Sequence, residues 1–594
     1  MDILSLVISI KKILITLLSI LCLFLLFNNY SYPENIKELR SQIILDANEN
    51  EIYSLTNGHE RTYIKDIPQK IKDCFIKIED KNFYSHHGFD ILRIIKASIT
   101  NLFSKKQGAS TITQQLARML FLNNEKTYKR KIQELVISLR LEKAYSKDEI
   151  LECYLNNLYF GHGVYGIYDA SIYFFNKTPS SLDLNEIALL VGIIKGPSVY
   201  SPINNYTLSM ERKNTILKKL DSSEGSYNPI IYGIKKEKYN SPVLFYKDLV
   251  ISSLKKDTYG RIYTNYDSSL GSMASSSDAS IVAIEPESGK IRLITSGNYY
   301  QSSYNKALFS KRQIGSTVKP FLYYQALLCG MNPLSKFKSE ESSIIFDNEV
   351  YSPKNYHNKY ENEKITMCYA LATSDNIYAV KTHKYIGPDK LASILNQLNI
   401  NAIPQPSLAL GTCEATLLEL ALAYAALANT GYLVKPYLVE KIIQNNKTIY
   451  QASVQKEKKL SYENTIVINN MLKMTFDKNL NNKMMVTGNS IADSLAGIFA
   501  GKSGSTFHDA YMIGFNKKIV IGVHRGSLNY QETFNDGGIT KKLWASLINN
   551  YADDDFYDDD NIKKIYANPT GLNQYKCYIY MNDYLLKYEK NPSL

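Results

Sequence analysis

The first strong pattern along the chain is an apolar run, Ile13–Phe27, interrupted only mildly by Thr16 and Ser19. Alone, at about 15 residues, it is shorter than the roughly 20 that cross a bilayer as a helix. Ile3 to Ile10 extend it, with Lys11 and Lys12 reaching back toward headgroups. No small-residue cleavage pattern follows, since the chain continues Asn28-Asn-Tyr-Ser-Tyr-Pro33. The pattern predicts an uncleaved signal anchor over residues 1–30, rather than a cleaved signal peptide. The two lysines place the N-terminus in the cytoplasm and the remainder outside it.

Residues from about 40 to 205 read mostly as helix. Ile132, Leu135, Val136 and Leu139 recur at helical spacing within Arg130–Ala144. Helices are also expected over Ile71–Glu79 and Thr113–Leu122. Ser146-Lys-Asp-Glu149 and Asp183-Leu-Asn-Glu186 supply helix starts, and Gly196-Pro197 a stop. The segment 206–275 is mixed and ends in Ser/Gly-rich Ser268–Ser277, which reads as a linker. Beyond it, Ser280–Pro286 and Lys290–Thr295 flank a turn and predict a hairpin. Helices are expected over Thr317–Gly330 and Thr416–Leu427, then paired strands over Tyr511–Phe515 and Ile519–Val523. Strands at both ends with helices between predict an α+β domain over 276–550. The division is therefore 1–30, a mostly α domain over 35–205, a linker over 206–275, the α+β domain, and a C-terminal tail, 551–594, to which no role is assigned.

Composition narrows this picture only a little. A chain of 594 residues is too long for one core, and 45% hydrophobic with 21% charged residues fits neither a collagen-like nor a disordered class. The formal net charge of +12 comes from dispersed lysines, which suit a solvated surface, anionic headgroups or a diphosphate. No groove-reading motif or basic helix accompanies it, so nucleic acid is not an expected partner. Seven scattered cysteines form neither a zinc-ligand spacing nor a disulfide framework. Asp553–Asp555 and Asp558–Asp560 read as a solvated acidic loop, their spacing differing from an EF-hand calcium loop.

Two constellations carry chemistry. In the first, Glu79-Asp80 ends a predicted helix beside Phe83, His86, Gly88 and Asp90. Partial burial near aromatics raises a carboxylate pKa and suits acid–base work, although an ordinary acidic helix end looks the same. Ser110, Thr111, Gln114 and Gln115 then offer hydroxyls and amides after Gly108, with Arg118 following. Such groups can hold phosphates and sugar hydroxyls. Arg130, Lys131 and Glu134 add two cations and a carboxylate on one helix.

These pieces, with Ser146–Asn156, Tyr159-Phe-Gly161 and Lys195-Gly-Pro197, resemble the peptidoglycan glycosyltransferase of class A penicillin-binding proteins. The resemblance implies a mostly α, lysozyme-like glycosyltransferase fold that polymerises lipid II. It implies Glu79 as the base for the acceptor hydroxyl, and Glu134 as the second glutamate, helping the diphosphate leave with a divalent cation (Mg or Mn) as its ligand partner. Arg118, Arg130 and Lys131 would neutralise the diphosphate, and Asp80, Phe83, His86, Ser110, Thr111, Gln114 and Gln115 would line the substrate site. The family's Lys-Asn stands here as Arg118-Met119, which keeps the charge and loses the amide.

The second constellation is Ser316-Thr-Val-Lys319, Ser374-Asp-Asn376 and Lys502-Ser-Gly504, in that order. They read as S-x-x-K, S-D-N and K-[TS]-G, a nucleophilic serine with a lysine and a second hydroxyl to move its proton. Ser316 is expected to open a helix, where backbone N–H groups favour developing negative charge. Lys319, one turn on, accepts the serine proton if burial beside other cations lowers its pKa. Ser374 can relay a proton, Asn376 can hold a substrate amide, and Lys502 and Ser505 on a strand edge can take an extended peptide.

With Arg312–Phe321, Ala372–Ile377, Leu408–Leu417 and Ala500–Ser505, this half resembles the transpeptidase of the same family. The resemblance implies an α+β serine transpeptidase, of the penicillin-binding and β-lactamase-like kind. Ser316 would attack a D-Ala-D-Ala carbonyl, and the N–H groups of Ser316 and Ser505 would receive the oxyanion beside Gly504. β-lactams would be covalent inhibitors. Ser503 and Ser505 replace the usual threonines and retain their hydroxyls. The implied protein is a single-pass synthase of the bacterial cytoplasmic membrane, working on nascent peptidoglycan beside other cell-wall synthesis proteins. A catalytically degenerate scaffold and a β-lactamase are the competing readings.

Overall fold

The computed structural model describes residues 41–56, 59–60, 62–90, 93, 110–122, 127–220, 225–233, 241–255, 258–296, 304–346, 349–444, 446–526 and 534–581. The expected anchor Ile13–Phe27 lies outside them. Among the described residues no helix is long and apolar enough to cross a membrane.

Two separate hydrophobic cores organise the chain. The smaller, from Ile67 to Leu217, is enclosed by helices. They include Gln69–Glu79, Ile112–Phe121, Tyr128–Ala144, Lys147–Asn157, Ile167–Phe175, Leu184–Ile193 and Tyr206–Leu220. Their starts are fixed locally, because Thr111, Ser146 and Asp183 each accept from the N3 backbone while Gln114, Glu149 and Glu186 reach back. Asn185 to Ile193 are buried on every side, which makes this the central helix. Asn156, fully buried, ties Ile64 to the bundle through Oδ1 and Nδ2, each at 2.9 Å.

The larger core surrounds a five-stranded antiparallel sheet. Its order is Ala500–Ser505, Asp509–Phe515, Val520–Gly526, Ser280–Ile284, Ile291–Thr295, with Ala500–Ser505 at one edge. Gly514 packs under Trp544 of the helix Ile539–Ile548, and Gly522 under Leu417 of Leu417–Ala428. These glycines lie on opposite pleats, so helices cover both faces. That matches the expected α+β arrangement, and the predicted hairpins form with Ile281 opposite Thr295 and Ile513 opposite Gly522.

Two expectations are corrected, and the tail, to which no role was assigned, finds its place. The segment after residue 40 is not helical: Ser41–Leu45 and Glu51–Thr56 form a hairpin. The linker is not structureless either. Gly260–Thr264 pairs in parallel with Ser41–Leu45 and antiparallel with Val439–Gln444, at the centre of a six-stranded sheet. Ser268–Ala274 is a helix capped by Asp267, with Ser269 and Ser272 exposed and Leu270 and Ala274 in the larger core. Single-sequence periodicity does not see such pairings, which join strands some 200 residues apart. Finally, the tail is part of the α+β unit. Phe556, Tyr557, Ile579 and Met581 are buried in the larger core, and Lys563–Ala567 pairs with Cys577–Met581. Its aspartates meet lysines: Asp553 with Lys518 at 2.8 Å, Asp555 with Lys517 at 2.7 Å, and Asp558 with Lys564 at 2.5 Å.

Candidate active sites

In the helical unit, Glu79 is the last residue of Gln69–Glu79 and is half-buried. Gln115 Nε2 donates to Glu79 Oε2 at 3.1 Å, and Tyr154 OH donates to Gln115 Oε1 at 3.2 Å. The carboxylate is thus aimed by an amide that is itself held. Asp80 behind it is fully buried and accepts from Ile112 N at 2.9 Å, with His86 Nε2 at 2.9 Å on the same oxygen. Thr111 Oγ1 donates to Gly88 O at 2.6 Å, and Gly88 has φ +92°, with Ser138 C only 3.0 Å from where a Cβ would stand. The turn after Glu79 is therefore stitched onto two helices. Asp90 is held below its ordinary pKa by the Arg93 backbone N–H and the Asn82 amide.

The cationic side comes from Tyr128–Ala144. Glu134, fully buried, pairs with Arg130 through Oε1 and with Lys131 through Oε2 at 2.5 Å. Lys131 also donates to Ser110 Oγ at 2.6 Å. Partial burial, then the nearby Arg118 and Arg130, lowers the Lys131 ammonium to about 8. Arg118, Arg130, Lys131 and Ser110 therefore gather beside the helix start that carries Gln115. A divalent cation at Glu134 does not fit this donor set, because both carboxylate oxygens already face cations in a buried setting.

The sequence-predicted residues divide in two. Glu79, Gln115, Ser110, Arg118, Arg130 and Lys131 converge with part of their surface open. Asp80, Phe83, His86, Thr111 and Gln114 are buried and partnered within the protein. Tyr154, to which no role was assigned from sequence, carries the Gln115 contact, and nothing in its local pattern marks it.

In the α+β unit, Ser316 sits in a 3-10 turn, Gly315–Val318, that runs into the helix Lys319–Leu328. The tight turn replaces the expected helix start. Gly315 has φ +55°, and a Cβ there would stand 3.0 Å from Ser505 O, so the edge strand reaches the backbone next to Ser316. Gly411, at φ +77°, leaves no room for a Cβ against Gly315 O and accepts from Gly315 N at 3.0 Å.

Ser374 ends Met367–Thr373 in the left-handed region, at φ 62° and ψ 40°. This uncommon conformation for a serine is fixed from both sides. Asp375, fully buried, accepts from Tyr378 N at 2.7 Å, Ser339 Oγ at 2.5 Å and Asn355 Nδ2 at 2.8 Å. Asn355 Oδ1 in turn accepts from Asn376 N at 2.7 Å. Sequence reasoning missed Ser339 and Asn355, which lie in irregular segments without a motif.

The Ser374 hydroxyl stands between two buried ammoniums, Lys319 Nζ at 3.2 Å and Lys502 Nζ at 2.9 Å. Lys319 also donates to Ser374 O at 2.6 Å and Asn376 Oδ1 at 2.7 Å. Burial lowers Lys319 to about 7, against the opposing pull of Asp375. Burial, then the Lys319 and Lys541 charges, pushes Lys502 well below its ordinary value. A lysine held at about 7, as Lys319 is, can exchange protons near neutrality. Gly504 packs on Thr317, with a Cβ contact of 2.7 Å, and Ser505 is exposed on an unpaired strand edge.

Residues 48–221 match the Transglycosylase family model, and residues 279–512 match the penicillin binding protein transpeptidase domain. Penicillin-binding protein 2D of Bacillus subtilis is 37% identical over 565 residues, covering 88% of this chain and 81% of that protein. Penicillin-binding protein 1F of the same organism is 33% identical over 546 residues, covering 82% and 73%. The crystal structure of penicillin-binding protein 1A from Haemophilus influenzae shares the fold, with a TM-score of 0.61 at 18% identity over 91% of this chain and 98% of that one. With both domains present at that identity and coverage, the chain belongs to the class A penicillin-binding proteins, bifunctional enzymes that join a peptidoglycan glycosyltransferase to a D-Ala-D-Ala transpeptidase.

Proposed function

We propose that this enzyme polymerises lipid II with Glu79 as base and cross-links stem peptides through a Ser316 acyl-enzyme, while anchored by its N-terminal apolar run with both sites outside the cytoplasm. The observation that carries this reading is that each of two separate cores supports one converged set of reactive groups. In the first, Glu79 removes the proton of an acceptor sugar hydroxyl as that oxygen bonds to the donor's anomeric carbon. The bond to the lipid diphosphate breaks, and its charge is met by Arg118, Arg130 and Lys131.

In the second, neutral Lys319 takes the Ser316 proton as Oγ attacks the penultimate D-Ala carbonyl. The backbone N–H groups of Ser316 and Ser505 receive the oxyanion. Ser374, between Lys319 and Lys502, passes a proton to the departing D-Ala nitrogen. The amine of a neighbouring stem peptide then displaces Ser316. The edge Ala500–Ser505 offers backbone groups to the extended donor peptide, and Lys502 draws its carboxylate. A β-lactam acylates the same serine, but its leaving group stays tethered.

Glu79→Gln keeps size and hydrogen bonding and removes the base, so polymerisation of purified lipid II falls by ~10²–10⁴-fold while Ser316 acylation is unchanged. Near-normal polymerisation by this variant refutes the base assignment. Ser316→Ala abolishes labelling by a fluorescent penicillin and leaves polymerisation intact. A long-lived adduct on the parent protein identifies a synthase, rapid turnover a β-lactamase, and no adduct a scaffold.

A further inference from the structure

The turn that presents Ser374 and Asn376 is held by Ser339 and Asn355, and both are braced from the segment around Glu361. Asn362 N donates to Ser339 O at 2.7 Å, and Ser339 N to Glu363 O at 2.9 Å. Ser339 Oγ is thereby set on Asp375 Oδ2 at 2.5 Å. Further along the same stretch of chain, Lys354 O accepts from Asn376 Nδ2 at 2.7 Å, while Lys319 Nζ donates to Asn376 Oδ1 at 2.7 Å. The Asn376 amide is therefore aimed from both sides.

Glu361 belongs to none of the sequence motifs, yet it is fully buried. Its carboxylate gathers three neutral donors from two other segments. Oε1 accepts from Tyr369 OH at 2.6 Å and from Met484 N at 2.7 Å, and Oε2 accepts from Asn482 Nδ2 at 3.0 Å. Tyr369, also fully buried, lies in the helix Met367–Thr373, which ends at Ser374. Met484 Sδ is 3.9 Å from Asn355 Nδ2, and Thr487 N, three residues on, donates to Ala372 O at 2.9 Å. Lys483 Nζ donates to the backbone Glu361 O at 2.9 Å. One carboxylate thus joins the three segments that surround the Ser374–Asn376 turn.

We propose that Glu361 is a positioning residue of the transpeptidase: its buried carboxylate seats Ser339 and Asn355 against Asp375 and so fixes where Ser374 and Asn376 stand. A carboxylate suits this place, since two oxygens take three donors and bring no donor of their own to satisfy. Cutting the side chain back leaves those donors buried without an acceptor, and the segments part or admit water. The left-handed conformation of Ser374 persists only while its surroundings over-determine it. Loss of the brace therefore moves the Ser374 hydroxyl away from Lys319 and Lys502. Bond-making suffers more than binding, because the edge strand Ala500–Ser505 makes none of these contacts.

This inference rests on the Ser316–Lys319–Ser374–Lys502 reading. The test is acylation by a fluorescent penicillin on the full chain below its thermal transition, with the first-order acylation constant separated from the binding constant by varying the penicillin concentration. In Glu361→Ala the acylation constant falls about 10–100-fold and the binding constant changes less. Glu361→Gln keeps an oxygen for Tyr369 and Met484, and the Asn482 amide can turn to accept from the new amide, so this variant recovers most of the loss. A purely stabilising role would lower the melting temperature and leave the acylation constant alone. A parent acylation constant in folded Glu361→Ala, a loss carried wholly by binding, or a Glu361→Gln as slow as Glu361→Ala overturns the proposal. If thermal melting shows that Glu361→Ala does not fold, Tyr369→Phe decides. It cuts the carboxylate's link to the helix that ends at Ser374, slowing the acylation constant about 3–10-fold, and a parent constant overturns the proposal. Labelling that survives Ser316→Ala overturns the underlying reading instead, independently of Glu361.

Discussion

Lys319 shows how burial changes the charge state of one atom. Its ammonium is fully enclosed and shares its contacts with Ser374 and Asn376, none of them a carboxylate. Burial costs the charged form more than these dipoles return, and the ammonium titrates at about 7 instead of its ordinary 10.5. With the neutral amine as the proposed base, acylation is expected to rise as pH rises through about 7 and to be lost as pH falls below it. A penicillin-acylation profile with its acid limb near that value supports the assignment, and a rate flat from pH 5 to 9 excludes it. In the first site, residue types in sequence did not separate the groups that face solvent from those behind them. Glu79 and Asp80 are adjacent carboxylates, yet one accepts from a single side-chain amide and the other is clasped by a backbone N–H and a histidine. Burial decides between them, and burial is a property of the packed helices.

At the scale of elements, helix starts were legible wherever a capping side chain is local. Ser146 and Asp183 form the expected capping boxes. The nucleophile's turn was not legible, because its tightness comes from a distant segment. Gly315 and Gly411 are in backbone contact although nearly 100 residues apart, and both have positive φ. Gly411→Ala puts a methyl group into the Gly315 carbonyl at a left-handed position, so the turn must shift. The expected result is at least a tenfold slower acylation of Ser316, with polymerisation unchanged, measured on the same preparation. Acylation at the parent rate would mean that the turn tolerates displacement.

For the whole molecule, the chain does not run as beads in order. The strand Ser41–Leu45, which precedes the helical unit, lies beside Gly260–Thr264, which follows it, and Val439–Gln444 from the α+β half completes that sheet. The residues after 551 return to the larger core, where Ile579 is 1% exposed. Ile579→Ala removes buried methyl groups of a residue that belongs to neither site and costs about 2–4 kcal/mol. It lowers the thermal transition at which penicillin binding is lost, and it leaves polymerisation at moderate temperature unaffected. An unchanged transition would show that the C-terminal hairpin does not contribute to the larger core's stability.

By itself the sequence determined the chemistry and most local elements. The serine–lysine–serine–lysine set, the two glutamates and the helix caps are written in residue types and short spacings. It also determined the α+β alternation, since strand and helix periods differ over a few residues. Only the tertiary structure decided which polar residues stay open to solvent, how Ser374 comes to lie between Lys319 and Lys502, and where the linker and tail belong. Those outcomes depend on contacts between segments tens to hundreds of residues apart. Desolvation, backbone pairing and close glycine approach arise there only once the chain has folded.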